Sequence, residues 1–203
     1  IRAMDQNGNV TTYAGSEEGC ALGALSEARF SQPTGLCWAD GVLYVADSGN
    51  HRVVAIKDGQ VTLVAGAHLT GDDAYEGDFL NGPAESARFS NPQGVAIGGV
   101  GTVYIADSGN GAVRAVKDGY VTTLTAMDSG STYPVSPRGL LPAGDTLYVG
   151  DVFSRVLFTC ESQAAEMDFT DVAKGTWYYD AVRFVWANDL FQGTSEGTFS
   201  HGS

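Results

Sequence analysis

Three aspartates recur at equivalent positions of the chain, each directly after an apolar run. They are Asp47, Asp107 and Asp151, and the first two open the same Asp-Ser-Gly-Asn sequence. If the repeated segments are arranged around an axis, the three carboxylates converge at one mouth and could bind Ca²⁺, which takes oxygen ligands. The alternative, which we favour, is that each aspartate accepts backbone N–H bonds and closes its own turn.

An arginine follows each of these aspartates at a related spacing. The three are Arg52, Arg114 and Arg155. Their guanidinium groups could pair with the aspartates as structural ion pairs, or they could offer bidentate contacts to an anionic ligand. We favour the structural role, and we keep the six charged residues together as candidate binding positions at the mouth.

The sequence offers no set of residues suited to catalysis. A catalytic zinc site needs about three protein ligands, and the chain has three histidines in all, His51, His68 and His201. Glycine replaces His51 at the equivalent position of the next repeat, and no Gly-x-Ser-x-Gly nucleophile elbow is present. We therefore expect a protein without enzymatic activity or resident cofactor, and a metal-dependent enzyme remains an alternative.

A repeat of about 60 residues organises most of the chain. Its landmarks are Ala-Arg-Phe-Ser, Pro-x-Gly, an apolar run ending in Ala-Asp-Ser-Gly-Asn, then Lys-Asp-Gly and a Val-Thr segment. Two full copies span residues 28–66 and 87–126, and partial copies span 1–15 and 134–160. Such periodicity is typical of architectures in which one supersecondary unit is stacked on the next.

Each full copy predicts four short strands separated by tight turns. In the first copy these are Thr34–Trp38, Val42–Ala46, Arg52–Ile56 and Gln60–Val64. Asp-Gly pairs at 40–41 and 58–59 favour type I′ hairpins, which need positive φ at both central residues. A four-stranded meander cannot bury both of its faces alone, so copies stacked around an axis predict an all-β propeller. A parallel β-helix would show a shorter period.

The pattern P-x-G-[LV]…[LV]-Y-[VI]-A-D-S-G-N…K-D-G resembles the NHL repeat. The linker sequence G-x-A-x-x-A-R-F, at Gly23–Phe30 and in longer form at Gly82–Phe89, resembles the bacterial variety of that family. The resemblance implies that residues 1–162 form part of an NHL-type β-propeller with four-stranded antiparallel blades. The last copy departs from the pattern, because Asp151-Val-Phe-Ser-Arg155 replaces Asp-Ser-Gly-Asn.

The blade count predicted from these copies is roughly three, whereas propellers have about four to eight blades. Either further blades precede Ile1 in a longer protein, which we favour, or two chains share one ring.

A second module is predicted at residues 165–203. The frame F-x-D-V-x4-W-Y-x-D-A-V-x-F…L-F-x-G-T, with Tyr178 and Val182 on one helical face, resembles a truncated S-layer homology (SLH) module, a small helical unit. In that family, three such modules usually pack together and bind the secondary polysaccharide of a Gram-positive cell wall. The resemblance implies wall-binding roles for Asp171, Trp177 and Asp180, although Trp177 as a core residue is the simpler interpretation.

Charge narrows the range of partners. Lysine and arginine total 11 against 24 aspartates and glutamates, a formal net charge of −13. This balance argues against nucleic-acid binding and against anionic membranes, and no apolar run approaches the roughly 20 residues of a membrane span.

Together the patterns predict an extracellular bacterial protein associated with the cell wall or S-layer. The propeller is expected to act as a binding scaffold for a protein, peptide or glycan, and the C-terminal module is expected to anchor it to the wall polysaccharide. Two alternatives are a metal-dependent enzyme with its site in the propeller mouth and a surface polymer whose propellers close between chains.

Overall fold

The computed structural model describes residues 1–67, 77–124, 136–152 and 157–161. Their regular elements are strands and short 3₁₀ turns, and none of these residues forms a helix long and apolar enough to cross a membrane. The strands are β1 (Arg2–Met4), β2 (Val10–Thr12), β3 (Gly23–Ala24), β4 (Pro33–Ala39), β5 (Val42–Asp47), β6 (Arg52–Lys57), β7 (Gln60–Ala65), β8 (Gly82–Pro83), β9 (Pro92–Ile97), β10 (Val103–Asp107), β11 (Ala112–Lys117), β12 (Tyr120–Leu124), β13 (Pro137–Ala143), β14 (Thr146–Asp151) and β15 (Leu157–Glu161). Arg155 and the predicted helical module at 165–203 lie outside the described residues.

The strands form four antiparallel sheets. Strands β1 and β2 pair as an N-terminal hairpin. Blade A has the order β3-β7-β6-β5-β4, blade B has the order β8-β12-β11-β10-β9, and blade C has the order β13-β14-β15. The all-β class and the repeated antiparallel meander are thus as the sequence predicts.

The strand positions predicted for the first full copy are confirmed, and each observed strand is longer by one or two residues. The Asp-Gly turns adopt the expected left-handed conformation, with φ of 48° at Asp40 and 80° at Gly41. The linker adds a strand that sequence patterns did not predict, because β3 has only two residues and therefore no periodicity. Its Gly23 pairs with Val61 at the outer edge of blade A.

Apolar side chains hold neighbouring blades face to face. Ala46 and Val53 of blade A pack with Phe89, Val95 and Ile105 of blade B. A second cluster joins blade B to blade C through residues that include Tyr104, Val113, Leu147 and Val149. Burial of these branched and aromatic side chains is the main favourable term that keeps the blades stacked.

The glycine of the Pro-x-Gly motif lets the inner strands of neighbouring blades approach each other. A Cβ on Gly35 would lie 2.6 Å from the carbonyl oxygen of Gln93, and one on Gly94 would overlap the carbonyl oxygen of Arg138. Each of these contacts is between one blade and the backbone of the next. The motif therefore marks the contact between neighbouring blades, which only glycine allows because it has no side chain.

The N-terminal hairpin occupies the place of the outer half of a blade. Gly15 N–H donates to the carbonyl of Leu25, just as Gly66 N–H donates to the carbonyl of Ala84, both at 2.8 Å. Ala14 packs in one cluster with residues of blade A. The hairpin thus lies against blade A as the two outer strands of blade A lie against blade B.

Candidate functional site

Asp47 lies at the end of β5, where its carboxylate organises the turn that follows. Ser31 N–H donates to its Oδ1 at 2.8 Å, and the Asn50 side chain donates to its Oδ2 at 2.7 Å. The Arg52 Nε–H also donates to Oδ2, at 2.8 Å. The carboxylate is fully buried, so its hydrogen bonds and ion pair are formed inside the blade.

Asp107 repeats this arrangement in blade B. Ser90 N–H donates to Oδ1 at 2.7 Å, and the Asn110 side chain donates to Oδ2 at 2.8 Å. Arg114 Nη1–H donates to the same Oδ2 at 2.8 Å. Two copies of the repeat therefore place the same three kinds of donor around the same carboxylate.

Both arginines continue into the linker that precedes their blade. Arg52 donates to the carbonyl oxygens of Cys20 and Arg29, and Arg114 donates to those of Leu80 and Arg88. The linkers lie outside the four-stranded meanders, so each arginine fastens its linker to its blade. The two side chains are 1% and 0% exposed, respectively, and have no surface to offer a ligand.

Arg114 has further contacts that Arg52 does not share. The Asn81 side-chain oxygen accepts from its Nε and Nη2 atoms, at 3.2 and 2.6 Å. Its Cζ lies 4.4 Å from the ring centroid of Phe79 and 5.1 Å from that of Phe89, which are cation–π distances. Sequence analysis missed Asn81, since nothing in the linker marks a buried asparagine as the acceptor for a distant arginine.

Burial shapes the titration of both aspartates. Removal from water raises the pKa of Asp47 and the pKa of Asp107, while the neighbouring asparagine and arginine oppose the rise. Burial also lowers the pKa of Arg114, opposed by Asp107. Among the described residues, every buried side-chain nitrogen or oxygen has a hydrogen-bond partner, so the desolvated groups are compensated by one another.

The third aspartate has a related but reduced environment. Asp151 is 5% exposed and accepts a hydrogen bond from Ser136 N–H at 2.7 Å. The arrangement is that of the turn-closing role favoured from the sequence, and the three aspartates do not converge on one calcium site. Within the part of the chain that the structure covers, no group of three His, Cys, Asp or Glu side chains could hold a metal ion. The reason is that Asp47, Asp107 and Asp151 each turn into their own blade to cap backbone N–H groups.

The serine after each of the first two aspartates connects one blade to the next. Ser48 Oγ donates to the carbonyl oxygen of Pro92, and Ser108 Oγ donates to that of Pro137. The residue after Asp151 is Val152, which is exposed. In the Asp-Ser-Gly-Asn motif, aspartate and asparagine thus close the turn, and serine binds the backbone of the neighbouring blade.

His51 and Gly111 occupy equivalent positions at the end of this turn. His51 follows the 3₁₀ turn at Ser48–Asn50 with φ of 52°, and Gly111 takes the equivalent place with φ of 60°. The position requires a left-handed backbone, which glycine adopts most readily. His51 Nδ1 accepts a hydrogen bond from Asn91 N–H at 2.9 Å, so this histidine links blade A to blade B.

A cleft of about 980 Å³ opens between the N-terminal hairpin and blade A. Its walls carry both charged and aromatic side chains, including Arg2, Tyr13, Glu17, Glu18 and Phe30. Neither the aspartates nor the arginines predicted as binding residues line it. Asp171, Trp177 and Asp180, the residues predicted to bind the cell wall, lie outside the described residues.

Comparison with known sequences identifies one repeat unit directly. The profile of the NHL repeat matches residues 30–56, which run from Phe30 through Ile56 and include Asp47 and Arg52. The chain is also 28% identical over 153 residues to Protein SUPPRESSOR OF QUENCHING 1, chloroplastic, from Arabidopsis thaliana. That match covers 68% of this chain and 14% of the plant protein, so the chain spans a small part of the relative's length.

Solved structures with the same arrangement of sheets come from Bacteroides. A protein of unknown function from Bacteroides thetaiotaomicron superposes with a TM-score of 0.56 at 20% identity, covering 77% of this chain and 40% of that one. An auxiliary nutrient binding protein from Bacteroides ovatus gives 0.55 at 16% identity, covering 78% and 42%. At these identities the likeness concerns the fold. The part of the chain that the structure describes therefore contains an NHL repeat within an all-β, propeller-like fold of stacked antiparallel blades.

Proposed function

We propose that this chain is part of a non-catalytic binding scaffold at the bacterial cell surface. The observation that carries the proposal is the internal use of the recurring charged residues. Asp47 and Arg52, like Asp107 and Arg114, are buried in ion pairs that hold turn, strand and linker together. The charged residues that recur from one repeat to the next are thus structural, which leaves the exposed turns and linkers free to carry recognition.

Ligand binding is supported by the nature of the structural neighbours. Two of them, from Bacteroides ovatus and Bacteroides thetaiotaomicron, are described as auxiliary nutrient binding proteins. By analogy, we assign this chain a ligand of the nutrient class, a glycan or a peptide. A thermal-shift screen of oligosaccharides and short peptides tests this assignment, because a ligand that binds only the folded state raises the melting temperature. A screen in which no compound raises it would contradict the assignment.

The proposal places the protein outside the cell, with residues 165–203 as its tether to the wall polysaccharide. Its support is the sequence frame around Asp171, Trp177 and Asp180 alone. The test is cosedimentation of the full chain with Gram-positive sacculi, with and without their secondary polysaccharide. We expect the full chain to sediment with intact sacculi and to stay in solution when the polysaccharide has been removed. The combined variant Asp171→Ala, Trp177→Ala, Asp180→Ala should also stay in solution.

The control for this experiment is Thr62→Glu, an exposed change on blade A. It should leave binding to the sacculi unchanged. Equal sedimentation of the triple variant and the unaltered chain would refute the tether and leave the ligand-binding assignment standing.

The proposal assigns the chain no catalytic step. Elemental analysis of the purified chain provides the check against a metal-dependent enzyme. A transition metal bound in stoichiometric amount and lost together with a hydrolytic or lyase activity would overturn this part of the proposal.

A further inference from the structure

Three asparagines of the chain are followed directly by glycine, a pair that is prone to lose the side-chain amide group of the asparagine. They are Asn7, Asn81 and Asn110. In such a pair the glycine nitrogen can attack the side-chain carbonyl carbon of the asparagine, because glycine has no side chain to hinder the approach. The reaction requires that the amide group turns towards this nitrogen. The surroundings of each amide group therefore decide which pair reacts.

The amide group of Asn81 is held in place inside blade B. Asn81 is 8% exposed, and its side-chain oxygen accepts hydrogen bonds from Arg114 Nη2 at 2.6 Å and from Thr123 Oγ1 at 3.1 Å. Gly82 lies in β8 and pairs with Val121 of β12. Turning the amide group towards the glycine nitrogen would break these bonds, so the fold protects this pair.

The amide group of Asn110 is held by the turn that follows β10. Its nitrogen donates to Asp107 Oδ2 at 2.8 Å and to the carbonyl oxygen of Asp78 at 2.9 Å. Asp107 is fully buried, so rotation of the amide group would take a donor from a carboxylate that water does not reach. This second pair is protected as well.

The amide group of Asn7 is not held. Asn7 lies in the exposed turn between β1 and β2, and its side chain makes no hydrogen bond to any described residue. Gly8 has φ of 84°, and only its chain neighbours come within 4 Å of the place that a Cβ would take. The Gly8 nitrogen donates to the carbonyl oxygen of Asp5 at 3.1 Å, a bond in a turn that is open to water. The attacking nitrogen and the amide group are thus both accessible.

The exposure of this turn does not depend on what stands beside the hairpin. The equivalent turns of blades A and B, between β6 and β7 and between β11 and β12, contain Asp58 and Asp118, and both aspartates are exposed. Blade B has a blade packed on each side. Those two turns carry Asp-Gly, which has no amide group to lose. The N-terminal hairpin differs from them in having Asn-Gly at this exposed place.

We propose that Asn7 is a site of spontaneous deamidation in the folded protein, and that Asn81 and Asn110 are protected by their hydrogen bonds. The Gly8 nitrogen forms a bond to Cγ of Asn7, and the bond from Cγ to Nδ2 breaks. The Gly8 N–H proton passes through water to the leaving group, which departs as ammonia. Water then opens the cyclic imide at either carbonyl, which gives aspartate or isoaspartate at position 7. Water is the only other reactant.

The test is a time course of the folded chain at mildly alkaline pH, followed by digestion with an acid-active protease and mass spectrometry. Exchange of the amide NH₂ for OH is detected as a gain in mass, which fragment ions assign to one asparagine. We expect Asn7 to react at least about tenfold faster than Asn81 and Asn110, since these must first lose the hydrogen bonds that the fold provides. Both aspartate and isoaspartate should form at position 7, because direct hydrolysis of the amide would give aspartate alone.

Two comparisons show whether the fold sets this order. In concentrated urea the three pairs should react at similar rates. In the folded chain, His51→Gly creates a further Asn-Gly pair at Asn50, whose amide nitrogen donates to Asp47 Oδ2 and to the Gly19 carbonyl oxygen, both at 2.7 Å. Gly111 already takes the equivalent position in blade B, so the backbone should be unchanged. The new pair should react as slowly as its blade B counterpart.

Four results would overturn the proposal. The first is that Asn7 reacts no faster than Asn81 and Asn110 in the folded chain. The second is that the new pair in His51→Gly reacts as fast as Asn7, which would show that the Asn-Gly sequence alone controls the reaction. The third is the same order of rates in urea, which would assign the order to neighbouring residues and not to the fold. The fourth is aspartate without isoaspartate at position 7, which would exclude the cyclic imide.

Discussion

Blades A and B each have a buried aspartate at the same position of the repeat, but the arginine that pairs with it comes from a different position of the neighbouring strand. In blade A the arginine is Arg52, the first residue of β6 and the cross-strand partner of Asp47. In blade B the equivalent first residue is Ala112, and Arg114 stands two residues later, opposite Ile105. Because side chains alternate between faces, a shift of two residues keeps the guanidinium on the same face of the sheet.

The surroundings of the arginine change with it. Val54 stands in blade A where Arg114 stands in blade B, and it packs near Leu22 and Leu63. In blade B the positions of Leu22 and Leu63 are taken by Asn81 and Thr123. The Asn81 side-chain oxygen accepts hydrogen bonds from Arg114 and from Thr123. An apolar trio in one blade is thus replaced by a polar trio in the other. Both copies therefore pair the buried aspartate with an arginine, but the position of the arginine differs between them.

The largest effect is expected from Arg114→Val. Removal of the guanidinium leaves Asp107 buried without its cation and takes from the Asn81 oxygen the two N–H donors of Arg114, which should lower the free energy of unfolding by about 3–5 kcal/mol. Urea denaturation followed by circular dichroism measures this loss. The matched control is Arg88→Val in the same blade, where the exposed ion pair with Asp78 is worth less than about 1 kcal/mol. If both variants lost the same free energy of unfolding, the buried Arg114–Asp107 ion pair would not be important for stability.

The second prediction converts blade B to the pattern of blade A. Adding Ala112→Arg, Asn81→Leu and Thr123→Leu to Arg114→Val should restore most of the lost free energy of unfolding, because the carboxylate regains an arginine and the trio becomes apolar. Ala112→Arg with Arg114→Val alone should restore less, since Asn81 then remains buried without its guanidinium partner. The same urea titration compares the variants. If the quadruple variant recovered none of the lost free energy of unfolding, the arrangement of blade A could not replace that of blade B.

A smaller effect is expected at the blade junctions. Gly94→Ala should lower the free energy of unfolding by about 1–3 kcal/mol, because its Cβ overlaps the Arg138 carbonyl and the two blades must shift apart. Gly139→Ala, the same change at the equivalent position of blade C, meets no such contact within the described residues. Thermal melts at low protein concentration compare them. A larger loss for Gly139→Ala than for Gly94→Ala would contradict the assigned junctions.

The smallest effect is a dependence of stability on pH. Burial raises the pKa of Asp47 and the pKa of Asp107 above the ordinary 3.8, so the folded protein binds these protons more tightly than the unfolded chain. The free energy of unfolding should therefore fall as pH rises from about 3.8 through the raised pKa values. Asp107→Asn should flatten this fall, measured as the urea midpoint against pH. A midpoint that rises over the same window in the unaltered chain would reverse the assigned direction.

Much of the fold could be predicted from local patterns. The strands of blade A, the Asp-Gly turns and the antiparallel meander follow from residues close together in sequence, such as Asp40-Gly41 between β4 and β5. The turn-closing role of Asp47 was also available from the sequence, because an aspartate before Ser-Gly-Asn has few other ways to bond its neighbours. The roles of Asn81, of the carbonyl of Cys20 and of Ser108 were not available, since their partners lie 29 to 33 residues away along the chain.

The sequence by itself determined that the chain is a repeated array of small antiparallel sheets, with one aspartate and one arginine recurring at related positions of each unit. Hydrophobic periodicity and turn chemistry act over a few residues, so they can be recognised without coordinates. Only the tertiary structure decided that these charges are buried in separate blades and do not converge on a metal site. Burial and hydrogen-bond pairing depend on which segments meet in space, as when Arg114 reaches both Asp107 and the linker carbonyl of Leu80.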